Sequence, residues 1–598
     1  MRPVSAGEMR TVLLMAAAVM VLTMLPYVAA LHLAEPGEVF GGFIWGVDDG
    51  NVYLSWMRQA SEGRLLLGNQ YTTEPQNPHF CNLFLTLSGA LCRVTGLPPI
   101  CVFHGLRLLG GVAMLASFYW LVSLLTADYW TRWAALGLVS LGSGLGWVVV
   151  LLDGMGLNPG LRPVDVGVDW QVQPEAVTFV SLLLNPLFVV SMALICLTLG
   201  HALIALERRR LRSAALAGVL LLLLGNIHSY DIFAIHATLG LWIIYGLVTR
   251  RYAIGQAALS YAVILLVSIP APLWSWWAAK QDPAYMAKAM TPTLSAGAGN
   301  YAVSYGLLAL FAVVGLLQVR SGRHGKRPVG SDDAAPARVH FPTSDGRWVD
   351  GAEAGRGHLL MFAVLWAVAN SAVLALPVSF QRKLVEGLHM PVAILAGAGV
   401  AYLAQLLTRR AVAAGKFQVA RERMALVVVA AVVLSIPSNA LLVSQCLEHV
   451  RSNNETLLHV LAPPVYLSAD YTGALHWLGE QVLPGQVILS SSLFGSYIPS
   501  AAKGQVYAGH WAETLDFPRK LGHVRRFYSP QSRADERLAV LVAAGADYVV
   551  YGPYERMMGW LDGDMDGQPD AVDLIAATGG VLHEVYASGD VLIYRVGR

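Results

Sequence analysis

Repeated apolar stretches of bilayer-spanning length constrain this chain more than any other feature of its sequence. A helix needs about 20 predominantly apolar residues to cross the hydrocarbon core of a bilayer, and about eleven stretches come near that length. They lie near residues 11–32, 101–125, 133–152, 178–205, 213–229, 231–248, 252–273, 302–319, 358–377, 389–408 and 424–445. Only 13% of the residues are charged, and the mean hydropathy is +0.52. We therefore predict a polytopic α-helical membrane protein with about 11 transmembrane helices.

The distribution of Lys and Arg predicts the orientation of these spans. Basic residues in short loops stay on the cytoplasmic side, and with the N-terminus inside every predicted inner loop is basic. These loops contain Arg132, Arg208, Arg209, Arg210, Arg212, Arg250, Arg251, Arg320, Arg323, Lys326, Arg327, Arg409, Arg410, Lys416, Arg421 and Arg423. We expect a multi-pass protein of the bacterial cytoplasmic membrane with residues 33–100 and 447–598 outside. The first span is expected to be a retained anchor, because it lacks a small-residue cleavage site.

Charge and cysteine content argue against other classes of protein. The net charge of +2 comes from basic residues spread over several loops, so no nucleic-acid partner is expected. The five cysteines have neither metal-ligand spacing nor an even disulfide framework. They are Cys81, Cys92, Cys101, Cys196 and Cys446. We expect small buried thiols, with a Cys92–Cys101 bridge as the alternative.

Three segments outside the spans organise the rest of the chain. Residues 33–100 form a first outer loop, in which helical spacing predicts two surface helices. Residues 321–357 are rich in Gly, Pro and charge, as is typical of a flexible cytoplasmic linker. Residues 447–598 have a soluble composition and alternate β-rich runs with helical patterns, which predicts a C-terminal extracytoplasmic α/β domain. Residues 1–446 would then form the transmembrane domain.

These patterns have definite bounds. The two surface helices are expected over Asn51–Leu67 and Cys81–Val94. The C-terminal strands are expected over Val487–Ser491, Tyr548–Tyr551 and Val591–Val596, and the C-terminal helices over Ala474–Gln481, Ala534–Ala544 and Ala571–Ala577.

Asp48 and Asp49 follow the first span and open the first outer loop. An acid pair at the water boundary of an apolar protein costs solvation free energy unless something uses it. Both acids are therefore candidate catalytic residues. The alternative is structural, because Asp caps helices well and Asp49 precedes the helix expected to start near Asn51.

The first outer loop and four later stretches together carry a family resemblance. The first reads GVDDGNVYLSWMRQASEGRLLLGNQYTTEPQ, and the later ones read SLLLNPLFVVSMAL, GNIHSYDIF, SFQRKLVEGLHMPVAILAGAG and GSYIPSAAKGQVYAGHWAETLDF. In this order they resemble the bacterial GT-C superfamily of membrane glycosyltransferases. That superfamily includes protein O-mannosyltransferases, lipid A aminoarabinose transferases and oligosaccharyltransferases, and the resemblance covers most of the chain at the level of architecture.

The resemblance implies transfer of a sugar from a polyprenyl-phosphate donor to a glycan, lipid or protein acceptor on the extracytoplasmic side. An acid of the first outer loop would be the catalytic base, and on this sequence that acid is Asp48 or Asp49. Sugar transfer with inversion needs a base to take the proton of the acceptor. One base is enough, because the lipid phosphate leaves as an anion and needs no acid. A divalent cation is the candidate cofactor of this site.

Arg382 and Lys383 lie in a short outer loop, against the positive-inside trend. Their position favours binding of the donor phosphate, and the alternative is snorkelling toward lipid headgroups. His389, at the start of the next span, either adds a hydrogen bond to that phosphate or is a structural interfacial histidine.

Four further polar residues are expected to line the substrate cavity. They are Glu74, Glu175, His228 and Asp231. His228 and Asp231 lie in the turn between two short spans, where they either bind sugar hydroxyls or a divalent ion, or Asp231 caps its helix. Glu74 either faces the acceptor or is a solvated loop acid.

The C-terminal segment contains the run DGDMDGQPD, which matches the first part of a calcium loop. The candidate ligands are Asp562, Asp564, Asp566, Asp570 and Asp573. Because Asp573 stands where the loop usually has Glu, we expect either a weakly bound structural Ca²⁺ or a solvated acidic turn.

Aromatic residues of the same segment either stack on sugar faces or belong to the core. They are Tyr497, Tyr507, His510, Trp511 and Phe517.

Two other functions remain open at this point, a polytopic transporter or lipid flippase and a non-catalytic scaffold for envelope assembly. Against the transporter, the sequence lacks a paired hydropathy repeat between its halves. Replacing Asp48 and Asp49 with Asn would leave a scaffold intact but would stop a transferase.

Overall fold

The computed structural model describes residues 4–158, 160–167, 172–321, 340–342, 348–350, 357–455, 461–560 and 572–597. In chain order its helices are α1 (Ala6–Leu22), α2 (Leu25–Leu33), α3 (Val47–Ser61), α4 (Leu83–Thr95), α5 (Pro99–Leu125), α6 (Tyr129–Leu141), α7 (Gly146–Gly154), α8 (Thr178–Leu184), α9 (Pro186–Arg208), α10 (Leu211–Ile227), α11 (Asp231–Val248), α12 (Ile254–Ser268), α13 (Pro270–Gln281), α14 (Pro283–Ala289), α15 (Ala298–Ser321), α16 (Gly357–Leu374), α17 (His389–Ala413), α18 (Phe417–Leu434), α19 (Pro437–Arg451), α20 (Ala469–Gln481), α21 (Ser492–Gly495), α22 (Ile498–Ala501), α23 (Phe517–Tyr528), α24 (Ala534–Ala544), α25 (Pro553–Trp560) and α26 (Leu574–Ala577). Short 3₁₀ turns cover Pro174–Ala176 and Gln381–Val385. The strands are β1 (Glu38–Phe40), β2 (His340–Pro342), β3 (Trp348–Asp350), β4 (Tyr466–Ser468), β5 (Val487–Leu489), β6 (Gln505–Val506), β7 (Tyr548–Tyr551), β8 (Leu582–Ser588) and β9 (Val591–Val596).

The apolar helices agree with the predicted spans. Among the described residues, 9 helices or consecutive helix pairs are long and apolar enough to cross a membrane. The shorter apolar helices α10 and α16 occupy two further predicted positions. The prediction of a polytopic helical membrane protein is therefore confirmed.

One predicted span is broken by local chemistry. The stretch 178–205 divides into α8 and α9 at Asn185 and Pro186. The Asn185 side chain accepts the N–H of Leu187 at 2.9 Å and caps α9. Pro186 has no N–H to donate and fits the first position of a helix, so a new helix starts here.

The chain divides into two compact units. The helical unit comprises residues 1–24, 104–274 and 292–445. The mixed unit comprises residues 25–103, 275–291 and 446–598, so it combines the first loop with the C-terminal segment.

In the helical unit, α17 packs closely against α15 and α6 through glycines. A Cβ on Gly399 would overlap the carbonyl oxygen of Phe311 in α15, and a Cβ on Gly397 would lie 2.6 Å from the Ala135 nitrogen in α6. Small residues let membrane helices approach at backbone distance. The AGAG run of α17 therefore sets the spacing of three neighbouring helices.

In the mixed unit, the first loop pairs with the C-terminal segment. Strand β1 is antiparallel to β4. The Gln70 side chain donates to the carbonyl oxygens of Lys503 at 2.7 Å and Gly504 at 2.8 Å, and the backbone carbonyl of Gln70 accepts the Val506 N–H at 2.9 Å. The surface-helix prediction for the first loop corresponds to α3 and α4.

The C-terminal sheet confirms the predicted α/β character. Its strand order is β6-β5-β7-β9-β8. Strand β5 is parallel to β6 and β7, whereas β9 is antiparallel to β7 and β8. The three predicted strands are β5, β7 and β9, and β6 and β8 extend the sheet at its edges.

Two predictions lie largely outside the described residues. Within the predicted linker 321–357, the structure describes an antiparallel pairing of β2 with β3. Of the calcium candidates, Asp562, Asp564, Asp566 and Asp570 are outside the described part. Asp573 caps α26, and its Oδ1 accepts the N–H groups of Ile575 and Ala576. The calcium site stays a prediction.

The described residues include all five cysteines, and among them there is no disulfide. Cys92, Cys196 and Cys446 are buried, as expected, whereas Cys101 is exposed.

The close approach of α17 to α15 predicts a large effect of one added methyl group. We expect Gly399→Ala to lower the free energy of unfolding by about 1–3 kcal/mol, because backbone atoms must move apart. The matched change is Gly240→Ala in α11, where a Cβ meets no described atom within 4 Å. Both variants are compared with the wild type by their apparent Tm in the same detergent. Equal Tm values for the two would contradict this packing.

Candidate active site

Asp48 and Asp49 occupy the first turn of α3. The helix begins at Val47, and its N-cap is Gly46 with φ 58°. The interpretation of Asp49 as the cap of a helix near Asn51 is therefore wrong, because the helix starts four residues earlier. Both carboxylates lie at the positive end of the helix dipole, which stabilises their charge.

His510 contacts both acids from the C-terminal segment. Its Nε2 is 3.1 Å from Asp49 Oδ1 and 3.6 Å from Asp48 Oδ2. Its Nδ1 accepts the N–H groups of Ala512 at 3.0 Å and Glu513 at 3.2 Å. A ring nitrogen that accepts carries no proton, so the neutral imidazole holds its proton on Nε2. That N–H donates to Asp49.

The turn that carries His510 is fixed by hydrogen bonds to the first loop. Thr514 Oγ1 accepts the Gly509 N–H at 3.1 Å and donates to the Tyr71 carbonyl at 2.8 Å. The Tyr71 hydroxyl donates to the Ser496 carbonyl at 3.0 Å. The imidazole is therefore placed against the acids by backbone and side-chain bonds on both segments.

The two acids have different surroundings. The Asp48 side chain is 19% exposed and the Asp49 side chain 67%. Burial raises the pKa of Asp48, His510 opposes this change, and the adjacent Asp49 charge adds to it, so the pKa lies above its ordinary value. A raised pKa makes a carboxylate a stronger base, which distinguishes Asp48 from its neighbour.

A second charged pair lies next to His510. Glu513 forms an ion pair with Lys288 of α14, and the Asn69 side chain donates to the Glu513 carbonyl at 2.8 Å. Lys288 Nζ also lies 5.3 Å from the centroid of the Trp56 ring. Trp511, beside His510, is 51% exposed, and a role in sugar stacking stays a prediction for it.

The other aromatic candidates of the C-terminal segment are enclosed. Tyr497 and Tyr507 are buried, and Phe517 is half-buried. The Tyr507 hydroxyl lies 2.6 Å from His523 Nδ1. Their burial favours the core interpretation for both tyrosines.

Glu74 lies in an ion pair rather than in open solvent. Lys520 Nζ is 2.8 Å from Glu74 Oε2, and the Lys520 side chain is buried. Although burial opposes the charged form, hydrogen bonds from Lys520 and Thr72 lower the pKa of Glu74. Glu74 thus compensates a buried cation, and its contact with substrate stays a prediction.

In the helical unit, the predicted phosphate-binding cations face a buried acid. Lys383 Nζ is 2.8 Å from Glu175 Oε1, and Arg382 approaches the same oxygen at 4.0 Å. Burial raises the pKa of Glu175, but the two cations outweigh it and hold that pKa at about 2. Two cations and one anion leave a net positive group that suits a phosphate.

His389 is engaged within the protein. Its Nδ1 lies 2.9 Å from Thr178 Oγ1, and its ring stacks on Tyr305 at 5.8 Å between centroids. The side chain is buried. These contacts favour the structural role over phosphate binding.

His228 and Asp231 are joined by Glu386. His228 Nδ1 is 3.1 Å from Asp231 Oδ1 and 2.9 Å from Glu386 Oε2. The N-cap position of α11 belongs to Tyr230, so the interpretation of Asp231 as the N-cap is wrong. Asp231 is the first residue of the helix itself.

Sequence reasoning missed two members of these clusters. For His510 the sequence indicates either sugar stacking or a core position, and it does not single out Glu386. Other polar residues flank His510 in the run GHWAETLDF and Glu386 in the run KLVEGLHM, so the sequence offers no signal that distinguishes either residue.

In the part of the chain that the structure describes, two groups of three residues could hold a metal ion, because their ligand atoms lie within 4.8 Å of one another. The first group is Asp48, Asp49 and His510. The second group is His228, Asp231 and Glu386. In the first group His510 does not fit a metal ligand. Binding through Nε2 would put the ring proton on Nδ1, where two backbone N–H donors already point. We therefore assign His510 a hydrogen-bonding role.

The fold of this chain is similar to that of a solved oligosaccharyltransferase. The structure of the Archaeoglobus fulgidus oligosaccharyltransferase in its apo form matches with a TM-score of 0.50 and 13% identity, over 91% of this chain and 69% of that one. The fold expected from the resemblance is thereby confirmed.

Two further solved structures are similar. ArnT from Cupriavidus metallidurans, bound to undecaprenyl phosphate, matches with a TM-score of 0.44 and 11% identity, over 96% of this chain and 97% of that one. The mycobacterial arabinofuranosyltransferase AftD matches with a TM-score of 0.48 and 16% identity, over 98% of this chain and 42% of that one. No protein-family model and no curated protein matches the chain.

The Glu175–Lys383 pair predicts a pH-dependent contribution to stability. A carboxyl whose folded pKa is depressed stabilises the fold above its ordinary pKa and loses that effect as the pH falls toward the folded value. For Glu175 the window runs from its ordinary value of 4.5 down to about 2. We expect Lys383→Met to lower apparent Tm at pH 7, and the difference from the wild type to narrow between pH 5 and pH 3.

The control is Lys280→Met, because Lys280 Nζ lies over the Trp276 ring, 4.0 Å from its centroid. Its effect on apparent Tm should not change over this pH range. A Lys383→Met difference that stayed constant down to pH 3 would show that Glu175 is not stabilised by Lys383.

Proposed function

We propose that this protein is a membrane glycosyltransferase that moves a sugar from a polyprenyl-phosphate donor to an acceptor on the extracytoplasmic side. The observation that carries the proposal is the first-turn pair Asp48 and Asp49 with the buried His510 imidazole against it. The GT-C fold supports the proposal, as does the sequence resemblance to that superfamily.

Asp48 is proposed as the general base. It is the more enclosed acid, and its raised pKa suits removal of a proton from an acceptor hydroxyl or amide. Asp49 accepts a hydrogen bond from the Nε2–H of His510. We assign Asp49 the role of positioning the acid pair against His510. A base held within hydrogen-bond reach of the acceptor lowers the barrier, because no proton needs to be taken by bulk water.

Arg382 and Lys383 are proposed to bind the donor phosphate. Lys383 now donates to Glu175, so a phosphate would share or replace that partner. The two cations carry more positive charge than Glu175 compensates, and the leaving phosphate keeps its negative charge. Hydrogen-bond donors and cations that point at the charge developing in the transition state are a principal source of its stabilisation.

The acceptor, whether glycan, lipid or protein, would bind near Asp48. Exposed Trp511 offers a ring face for a sugar. A divalent cation at the acid pair would be held by the two carboxylates without His510, because Nδ1 of His510 accepts two backbone N–H groups.

The proposal predicts unequal effects of matched acid-to-amide changes. Asp48→Asn should lower turnover by about 10²–10⁴-fold, the usual contribution of a general base, and Asp49→Asn should lower it less. The control is Asp535→Asn, because Asp535 is also a first-turn acid, in α24, and its partner is Arg533. It should leave turnover unchanged.

The measurement incubates purified protein with membrane-lipid extract and follows consumption of a polyprenyl-phosphate sugar by mass spectrometry. Unchanged consumption of the donor by the Asp48→Asn variant would show that Asp48 is not the general base. Movement of a solute into sealed vesicles with no new glycosidic bond would favour a transporter instead.

A further inference from the structure

The His228 cluster of the helical unit, defined by His228, Asp231 and Glu386, has an unusual balance of donors and acceptors. Each of the three side chains is buried, with exposed fractions of 7%, 1% and 0%. Among the described residues, the four carboxylate oxygens of Asp231 and Glu386 have no hydrogen-bonding contact other than that of His228 Nδ1 with one oxygen of each. Four buried oxygens with so few contacts carry a large desolvation cost.

The imidazole alone cannot compensate this cost. His228 Nδ1 faces both carboxylates, at 3.1 Å from Asp231 and 2.9 Å from Glu386. One ring nitrogen carries at most one proton and can donate it to one acceptor. Two carboxylates and one imidazolium would still have a net negative charge. A cation with a higher charge and several coordination positions would balance the cluster.

We propose that His228, Asp231 and Glu386 form a binding site for a divalent cation, of the kind that accepts mixed nitrogen and oxygen ligands, such as Zn²⁺ or Mn²⁺. One imidazole nitrogen with two carboxylates is a ligand set that such ions use. The inference does not rest on the proposed sugar transfer.

The geometry fits such an ion after small movements. Ligand atoms at about 2.1 Å from a tetrahedral metal lie about 3.4 Å from one another. The three candidate atoms here all lie within 4.8 Å of one another, and the two distances from His228 are close to the ideal value. His228 lies in the short connection between α10 and α11, Asp231 is the first residue of α11, and Glu386 comes from the turn before α17.

The backbone that carries Glu386 is held in place independently of the cluster. Asn370 Nδ2 donates to the Glu386 carbonyl at 3.0 Å and to the Leu384 carbonyl at 3.3 Å. The Asn370 side chain in turn accepts the Trp366 indole N–H at 3.0 Å. Supporting bonds of this kind orient metal ligands, and here they fix the acid that closes the cluster.

Aromatic rings enclose the histidine. Phe188 and Tyr230 contact His228 edge to face, with centroid distances of 5.9 Å and 5.4 Å. Such rings exclude water and keep the imidazole orientation constant. A metal in these surroundings would exchange slowly and would add to the stability of the helical unit.

The test measures metal content directly. Purified full-length protein is stripped with EDTA, exposed to Zn²⁺ or Mn²⁺, desalted and assayed by inductively coupled plasma mass spectrometry. We expect about one bound equivalent in the wild type, and binding about tenfold weaker or more in His228→Gln and Glu386→Gln. Asp165→Asn is the matched control, because Asp165 is a buried acid of the same unit that accepts from Ser143 at 2.7 Å; it should bind as the wild type does.

A double Asp48→Asn, Asp49→Asn variant separates this site from the acid pair of α3, and it should keep its metal. Loss of metal in that variant alone, or equal binding by His228→Gln, Glu386→Gln and wild type, would overturn the proposal. If the variants of the His228 cluster do not fold, the test instead loads Co²⁺ into the wild-type protein and records its visible absorption spectrum. Visible absorption bands of nitrogen- and oxygen-ligated Co²⁺ are expected, and a spectrum of hexaaqua Co²⁺ would overturn the proposal.

Discussion

The contact between His510 and the acid pair of α3 is the interaction on which the candidate active site depends. Asp49 and His510 are 461 positions apart in the chain, so no local periodicity brings them together. The pairing of β1 with β4 and the bonds from Gln70 to the C-terminal segment hold the two stretches in register. Because a base acts only within hydrogen-bond reach, these structural contacts are a condition for the chemistry proposed for Asp48.

The two charged clusters of the helical unit are compensated in different ways. Around Glu175 the protein supplies two cations for one buried carboxylate, and the charged form is stabilised. Around His228 it supplies one imidazole for two buried carboxylates. The first group has positive charge to offer a phosphate, whereas the second lacks positive charge. A phosphate and a divalent cation are therefore the ligands that each group would recognise by elementary electrostatics.

Much of the fold was predictable from the sequence, because long apolar runs, short basic loops and β-branched stretches act locally. The first-loop acids were identifiable as a candidate site for the same reason, because the solvation cost of an acid pair in an apolar protein can be inferred without knowing its neighbours. His510 and Glu386 were not, because their importance comes from long-range contacts. Strand β8 was missed because it is an edge strand, and most of Leu582–Ser588 is exposed and polar enough to resemble a loop. The start of α3 was placed too late, because Gly46 caps it through a positive φ and not through a side chain.

The account is tested most directly by a double-mutant cycle on kcat/KM for sugar transfer, with Asp49→Asn, His510→Gln and the double variant. Residues in direct contact usually show coupling of about 0.5–3 kcal/mol. If His510 acts through the acid pair, the double variant should be scarcely slower than the slower single variant. Strict additivity of the two effects would show that His510 and Asp49 act independently, and the proposed assembly of the site by the C-terminal segment would be wrong.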